Sequence, residues 1–232
     1  MCEHCLARRS FLAFTGSALA AAVLRPAQVN AADDMTTVTA DQALTRLKQG
    51  NARFVESPKL CALDLANARE SVAEAQAPWA TILSCSDSRV PPELLFGGIG
   101  VGELFVARNA GNMADMATMG TVEYGAGPLG APLIVVLGHD GCGAAKAACE
   151  VVEKNATFPG SIGPMVDAIV PVARAMRGKP GDFVDNVVRE SAKQTAEKIR
   201  KSPVVSSLVS SGKVKVVAAR YDLGSGMVEY IA

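Results

Sequence analysis

Residues 133–144 read Leu-Ile-Val-Val-Leu-Gly-His-Asp-Gly-Cys-Gly-Ala, and this stretch indicates how the chain folds. The run of apolar residues at its start has no alternation with polar residues, which is typical of a strand buried on both faces of a sheet. Such strands occur where helices cover both faces of a parallel sheet. Directly after this strand come His139 and Cys142, two residue types that bind metals.

Further apolar runs predict the remaining strands of the sheet. Trp79–Leu83 and Glu103–Ala107 are also mainly apolar and predict two buried strands. Val214–Ala218 predicts another strand, and Gly226–Ile231 is expected to turn back beside it. Helical patterns separate these runs. Strands that alternate with helices predict a single-domain α/β fold, with a mainly parallel central β-sheet flanked by helices.

Two helices can be placed from their end signals. Thr39-Ala-Asp-Gln42 has the spacing of a capping box, and Gly50 is expected to stop the helix that it starts. An amphipathic helix is predicted over Asp182–Arg200, ended by Pro203.

Composition limits what the protein binds. Of 232 residues, 49% are hydrophobic, and 23 Lys and Arg balance 23 Asp and Glu without forming a basic block. Nucleic acid is therefore not expected as a partner, because phosphate binding requires clustered cations. With two histidines and six cysteines in the chain, a metal site must depend on sulfur.

The first 31 residues predict an export signal that is cleaved, leaving residues 32–232 as the mature domain. Arg8-Arg9 precedes a short apolar run, and this pattern resembles a twin-arginine signal, which implies a periplasmic or otherwise exported protein. A retained membrane anchor is the alternative, although a span requires about 20 apolar residues and this run is shorter. Cys2 and Cys5 lie within the signal and lack a second cysteine pair that would complete a metal site.

The chemically informative residues follow two of the predicted strands. Cys85 comes after one strand, and His139 and Cys142 come after another. Because the carboxyl ends of parallel strands share one edge of the sheet, these residues can face the same cleft. Each of them alone is explained as well by an ordinary buried side chain. Together, two thiolates and an imidazole form a soft ligand set that favours zinc, and three protein ligands leave one position open, as in catalytic sites.

Two motifs give the chain a resemblance to a known family. Cys85-Ser-Asp-Ser-Arg-Val90 and Gly138-His-Asp-Gly-Cys-Gly-Ala144, together with Leu47-Lys-Gln-Gly-Asn-Ala-Arg-Phe54 and Leu104-Phe-Val-Ala-Arg-Asn-Ala-Gly-Asn112, resemble the β-carbonic anhydrases. The resemblance extends over residues 38–231. It implies zinc-dependent, reversible hydration of carbon dioxide to bicarbonate and a proton by attack of metal-held hydroxide, in a homodimer or homotetramer.

The resemblance also implies roles for individual residues. Cys85, His139 and Cys142 match the ligands of one zinc ion per chain, and Asp87 and Arg89 match the catalytic pair. A carboxylate two residues from a ligand can orient the attacking oxygen, while a planar guanidinium clamps that carboxylate away from the metal.

Three further residues match substrate-binding positions of the family: Gln76, Phe105 and Tyr124, the last of which can act across a subunit interface. Gly143 is predicted to start a helix, so its backbone N–H can hold an anionic oxygen of the substrate. One bacterial subset carries a tryptophan three residues before the first cysteine, at an inhibitory bicarbonate site. This chain has Ile82 there, so it resembles the plant-like, non-allosteric type.

Two alternatives remain at the level of sequence. Some family members hydrolyse carbon disulfide or carbonyl sulfide at the same metal centre, and a non-catalytic zinc- or bicarbonate-binding protein would need the same ligands. Cys61 and Cys149 are predicted to be buried thiols, although export would permit a disulfide.

Overall fold

The computed structural model describes residues 36–57 and 72–231. Helices and strands alternate along most of the chain, as the sequence predicts. In order, the elements are α1 Ala40–Glu56, β1 Ala80–Cys85, α2 Pro92–Leu95, β2 Leu104–Asn109, α3 Met116–Ala126, β3 Leu133–His139, α4 Gly143–Lys154, α5 Ile162–Asp167, α6 Val170–Met176, α7 Phe183–Arg200, α8 Pro203–Ser210, β4 Lys215–Tyr221 and β5 Val228–Ile231.

These strands form one sheet in the order β2-β1-β3-β4-β5. The first four are parallel, and β5 pairs antiparallel with β4. The fold class is therefore confirmed. Both β1 and β3 run two residues beyond their predicted ends, so Cys85 and His139 are the last residues of their strands rather than the first residues after them.

Apolar side chains cover both faces of the sheet, which explains why its central strands lack alternation. On one face, Leu83, Val136 and Val216 pack against residues of α3, α7 and α8. On the other face, Ile82 and Val135 pack with residues of α1 and α2. Every residue of β1 and β3 is buried. The ends of these two strands are consequently fixed by the core.

The prediction for α1 is correct at its start and wrong at its end. The Thr39 side chain accepts from Gln42 N–H, and Gln42 in turn caps Thr39, which confirms the capping box. Gly50, however, lies inside the helix, which continues to Glu56. A Cβ at Gly50 would lie 1.8 Å from the carbonyl oxygen of Phe96, so glycine is needed there because the helix crosses the Phe96 backbone.

Pro203 also has a different role from the one predicted. Helix α7 ends at Arg200, as expected, but Pro203 opens helix α8, capped by Ser202, instead of terminating α7. Proline is suited to a first helical position, where no N–H is needed.

The predicted signal, residues 1–31, lies outside the described residues, as does Cys61. Among the residues that are described, no helix is long and apolar enough to cross a membrane.

Candidate metal centre

Three potential ligands meet where β1 and β3 end. The two strands are parallel neighbours, with Ser84 paired to Leu137, so Cys85 and His139 lie side by side at the same edge of the sheet. After His139 the chain turns through Gly141 at a φ of +60°, a left-handed conformation that favours glycine. This turn places Cys142 at the N-cap of α4, where its side chain makes no capping bond.

The geometry of these three side chains fits a zinc ion. The Cys85 and Cys142 sulfurs and a ring nitrogen of His139 all lie within 4.8 Å of one another, and all three residues are buried. Tetrahedral zinc, with bonds of about 2.0–2.3 Å, requires ligand atoms separated by about 3.5–4 Å. Three soft donors at such spacing can hold zinc and leave a fourth position for a small molecule.

The His139 ring is oriented by the backbone. Its Nδ1 lies 2.8 Å from the carbonyl oxygen of Asp140 and can only donate to that acceptor. This assigns the proton to Nδ1 and leaves a lone pair on Nε2, which is buried and has no hydrogen-bond partner among the residues that the structure describes. A buried nitrogen without a partner is costly, and binding a metal would satisfy it.

The hydrogen bond between the two thiols shifts their pKa values in opposite directions. The bond from Cys142 lowers the pKa of Cys85 to about 4, despite opposition from burial, with further contributions from His139 and Gly111. The same bond raises the pKa of Cys142. Burial disfavours a charged His139, but the nearby Cys85 thiolate and the hydrogen bond to the Asp140 carbonyl outweigh burial and raise the pKa of the ring. Before metal binding, the site therefore favours a thiolate at Cys85 and a protonated thiol at Cys142, and a bound metal would replace the second proton.

Asp87 and Arg89 lie beside these ligands as a tightly bonded pair. Arg89 Nε donates to Asp87 Oδ1 at 2.9 Å, and a terminal nitrogen donates to Oδ2 at 2.7 Å. These bonds keep the pKa of Asp87 far below its usual range. Asp87 Oδ2 is also 3.8 Å from His139 Nε2, so an ionised carboxylate faces the ligand cluster.

Sequence reasoning missed two residues that hold this loop. The Arg108 side chain donates to the carbonyl oxygens of Cys85, at 3.0 Å, and Asp87, at 2.7 Å. Gly111 N–H lies 3.5 Å from the Cys85 sulfur. Both belong to the quoted run that ends at Asn112, and a charged residue within an apolar strand was the available signal for Arg108.

Comparison with known proteins agrees with this geometry. A family model described as carbonic anhydrase matches residues 80–228. Carbonic anhydrase from Mycolicibacterium smegmatis is 35% identical over 79% of this chain and 89% of its own length. Carbonic anhydrase 2 of Mycobacterium tuberculosis is 34% identical over 78% of this chain and 87% of its own.

The chain belongs to the carbonic anhydrase family. A solved β-carbonic anhydrase from Coccomyxa, in complex with acetazolamide, matches with a TM-score of 0.62 at 25% identity, over 84% of this chain and 87% of that one. The fold is thus that of a β-carbonic anhydrase.

In this carbonic anhydrase, the predicted substrate residues divide into two groups. Gly143 is the first residue of α4, next to Cys142, and a Cβ there would meet nothing within 4 Å, so its surroundings are open. Gln76 is exposed in the segment that precedes β1. Their roles in substrate binding stay predictions.

Phe105 and Tyr124 lie away from the ligands of their own chain. Phe105 pairs with Thr81, four residues before Cys85, which places it about 13 Å along the strand from the metal centre. Tyr124 packs against Phe105, with ring centroids 6.1 Å apart, and is 44% exposed. The structure therefore brings these two residues to each other and not to the Cys–His–Cys cluster.

Cys149 is buried on α4, as predicted, and forms no disulfide with another cysteine of the described residues. Burial and nearby carboxylates raise its pKa to about 11. Such a thiol stays protonated at neutral pH and is therefore unreactive.

Proposed function

We propose that the protein is a zinc enzyme that catalyses the reversible hydration of carbon dioxide to bicarbonate. The observation that carries this proposal is the ionised, arginine-clamped Asp87 beside a buried Cys85–His139–Cys142 cluster. A structural metal site would need a fourth ligand and would gain nothing from an adjacent clamped carboxylate.

Cys85 and Cys142, as thiolates, and His139 through Nε2 would hold the ion. Zinc held in this way lowers the pKa of water and so makes a nucleophile available near neutral pH. The hydrogen bond from Gly111 helps to stabilise a Cys85 thiolate. At Cys142, the N–H groups at the start of α4 only partly offset the hydrogen bond with Cys85 and the burial that raise its pKa, so this second thiolate would form on binding the metal.

Asp87 and Arg89 orient the reaction. Asp87 Oδ2 is an acceptor 3.8 Å from His139 Nε2, and from there it can take a hydrogen bond from the reacting water and turn the water's lone pair toward carbon dioxide. Arg89 binds both carboxylate oxygens, which keeps Asp87 from moving onto the ligand position itself. Arg108 fixes the backbone on both sides of Ser86 and so holds the pair in register with Cys85.

The purified protein should be assayed for carbon dioxide hydration by stopped flow and for bound zinc by elemental analysis. We expect about one zinc per chain and activity that disappears when a chelator removes the metal and returns when zinc is restored. A protein with its full zinc content that hydrolyses carbonyl sulfide or carbon disulfide, but does not hydrate carbon dioxide, would contradict the proposal.

We also propose that the enzyme is a homodimer or homotetramer in which Phe105 and Tyr124 line the pocket of a neighbouring copy. The support is their distance from their own metal centre and the exposure of Tyr124. Co-expression of a His139→Ala chain with a Phe105→Ala chain tests this. Hybrid oligomers contain one complete pocket and should recover activity that neither variant shows alone, and no recovery would reject the arrangement.

Export is proposed from residues 1–31. Changing Arg8 and Arg9 to lysine should leave the precursor in the cytoplasm, because the twin-arginine pathway recognises those arginines as an address. Processing near Ala31 and periplasmic activity that are unchanged would remove this assignment.

A further inference from the structure

The residue after the metal-centre histidine is bonded to a distant part of the chain. Asp140 N–H donates to the carbonyl of Tyr221, the last residue of β4, at 3.1 Å. The Asp140 carboxylate then accepts the N–H of Leu223 at 2.7 Å, beyond the end of the strand. One bond therefore fixes Asp140 to the end of β4, and the other fixes its side chain to the segment that follows.

That segment is itself rigid. The Asp222 side chain accepts from Ser225 N–H and its hydroxyl, both at 2.8 Å, and Gly226 N–H closes the turn on the Asp222 carbonyl. Buried Asn51, on α1, donates to the Gly226 carbonyl at 2.8 Å and accepts from Val228 N–H at 2.8 Å. The turn is thus a fixed support rather than a loose loop.

The Asp140 backbone carbonyl is the group whose position needs to be held. Its carbonyl oxygen receives the His139 Nδ1–H, so the orientation of this peptide sets the direction of the His139 Nε2 lone pair. The next residue is Gly141, in a left-handed conformation, and it has no side chain whose packing could restrain the peptide.

We infer that the Asp140 side chain is a positioning residue for the metal centre: its bond to Leu223 N–H holds the carbonyl that orients His139. The inference rests on the proposed zinc site, and it assigns the effect to the position of the acceptor oxygen rather than to the negative charge. Partners that orient a ligating histidine typically contribute about 10–100-fold in metal affinity.

Zinc affinity, measured by competition with a zinc-binding dye, tests the inference without recourse to activity. Asp140→Asn keeps the acceptor oxygen and removes the charge, so its dissociation constant should stay close to that of the unaltered protein. Asp140→Glu keeps the charge but displaces the acceptor by one methylene, and together with Asp140→Ala it should bind zinc about 10–100-fold more weakly.

A matched control is available on α7. Asp182 Oδ1 accepts the N–H of Asp185 at 2.7 Å, the same kind of bond at the same length. Asp182→Ala should lower the unfolding temperature and leave zinc affinity unchanged, which separates a general loss of stability from a local effect on the metal.

The asparagine and glutamate variants decide the result even if the alanine variant does not fold. Tight binding by Asp140→Glu with weak binding by Asp140→Asn would overturn the inference in favour of charge. Equal affinity in all variants would overturn it as well, while the unaltered enzyme still bound zinc and hydrated carbon dioxide. An unaltered protein without zinc affinity would instead reject the proposed function and this inference together.

Discussion

Two carboxylate–guanidinium clusters of similar chemistry lie in different parts of this molecule. At the metal centre, Asp87 is bonded by Arg89, two residues further along the same loop. At the other cluster, Asp185 of α7 is bonded by Arg189, one helical turn away, and by Arg220 of β4, while Arg189 also binds Glu229 of β5.

The difference lies in what each pair connects. Asp185 joins α7 to Arg220 of β4, 35 residues away in sequence, and Arg189 joins the same helix to Glu229 of β5, 40 residues away, so the bonds of this cluster stabilise the packing of α7 on the sheet. The Asp87–Arg89 pair joins only neighbouring residues, and the Arg89 side chain is 58% exposed. Exposed pairs of this kind contribute little to stability. The pair matters because it holds the Asp87 carboxylate 3.8 Å from the His139 nitrogen, which has no hydrogen-bond partner among the described residues.

Removing the ligand beside Asp87 should have the largest effect. We expect His139→Ala to lose bound zinc and essentially all hydration activity, because two thiolates alone cannot complete a catalytic zinc site. Elemental analysis and stopped-flow assay of the same sample measure both. Full zinc content in this variant would mean that the metal is held elsewhere.

Removing the carboxylate itself should separate orientation from metal binding. Asp87→Ala should keep most of its zinc and lose turnover by about 10²-fold or more, because the reacting water is no longer held in place. Its unfolding temperature should change little, since the pair connects no distant elements. An unstable but fully active variant would show that the Asp87–Arg89 pair contributes to stability and not to catalysis, which contradicts the prediction.

The matching change at the other cluster should have the opposite result. Asp185→Asn weakens bonds to two arginines, and we expect the free energy of unfolding to fall by about 1–3 kcal/mol while turnover per bound zinc stays within about two-fold. Urea unfolding and the hydration assay provide the two readings. Loss of turnover without loss of stability would show that this cluster also acts on the site.

Acid should diminish this stabilisation gradually. Burial raises the pKa of Asp185, but bonds from Arg189 and Arg220 outweigh burial and lower it overall. A carboxyl with a lowered pKa in the folded state adds stability above its unfolded value of about 3.9, and loses it as pH falls through the folded value. The stability gap between the unaltered protein and Asp185→Asn should therefore be largest near pH 7 and narrow below about pH 4. A gap that widens in acid would contradict this sign.

The sequence was sufficient to predict the sheet and the ligand cluster for a physical reason. Strands buried on both faces leave continuous apolar runs in the sequence, and the carboxyl ends of parallel strands lie at one edge of the sheet. These two facts were enough to predict that Cys85 and His139 lie close together. The resemblance to β-carbonic anhydrases added the pairing of Asp87 with Arg89.

What sequence reasoning missed depends on contacts between distant residues. Gly50 has the pattern of a helix stop, and only its approach to Phe96 shows that the helix continues. Arg108 and Asp140 act on backbone groups 21 and 83 residues away, and nothing in local spacing reveals such bonds. The position of Phe105 depends on strand register, which apolar patterning alone does not determine.

The strand order has a consequence for how the pocket can change. From β1 the chain leaves toward β2 on one side, and from β3 it leaves toward β4 on the other, so the sheet has a topological switch point between β1 and β3. The two connections diverge there and open a crevice without interrupting any ladder of hydrogen bonds. Changes in loop length beyond Arg89 can therefore reshape substrate access while the buried strands, with Cys85 and His139 as their last residues, stay in place.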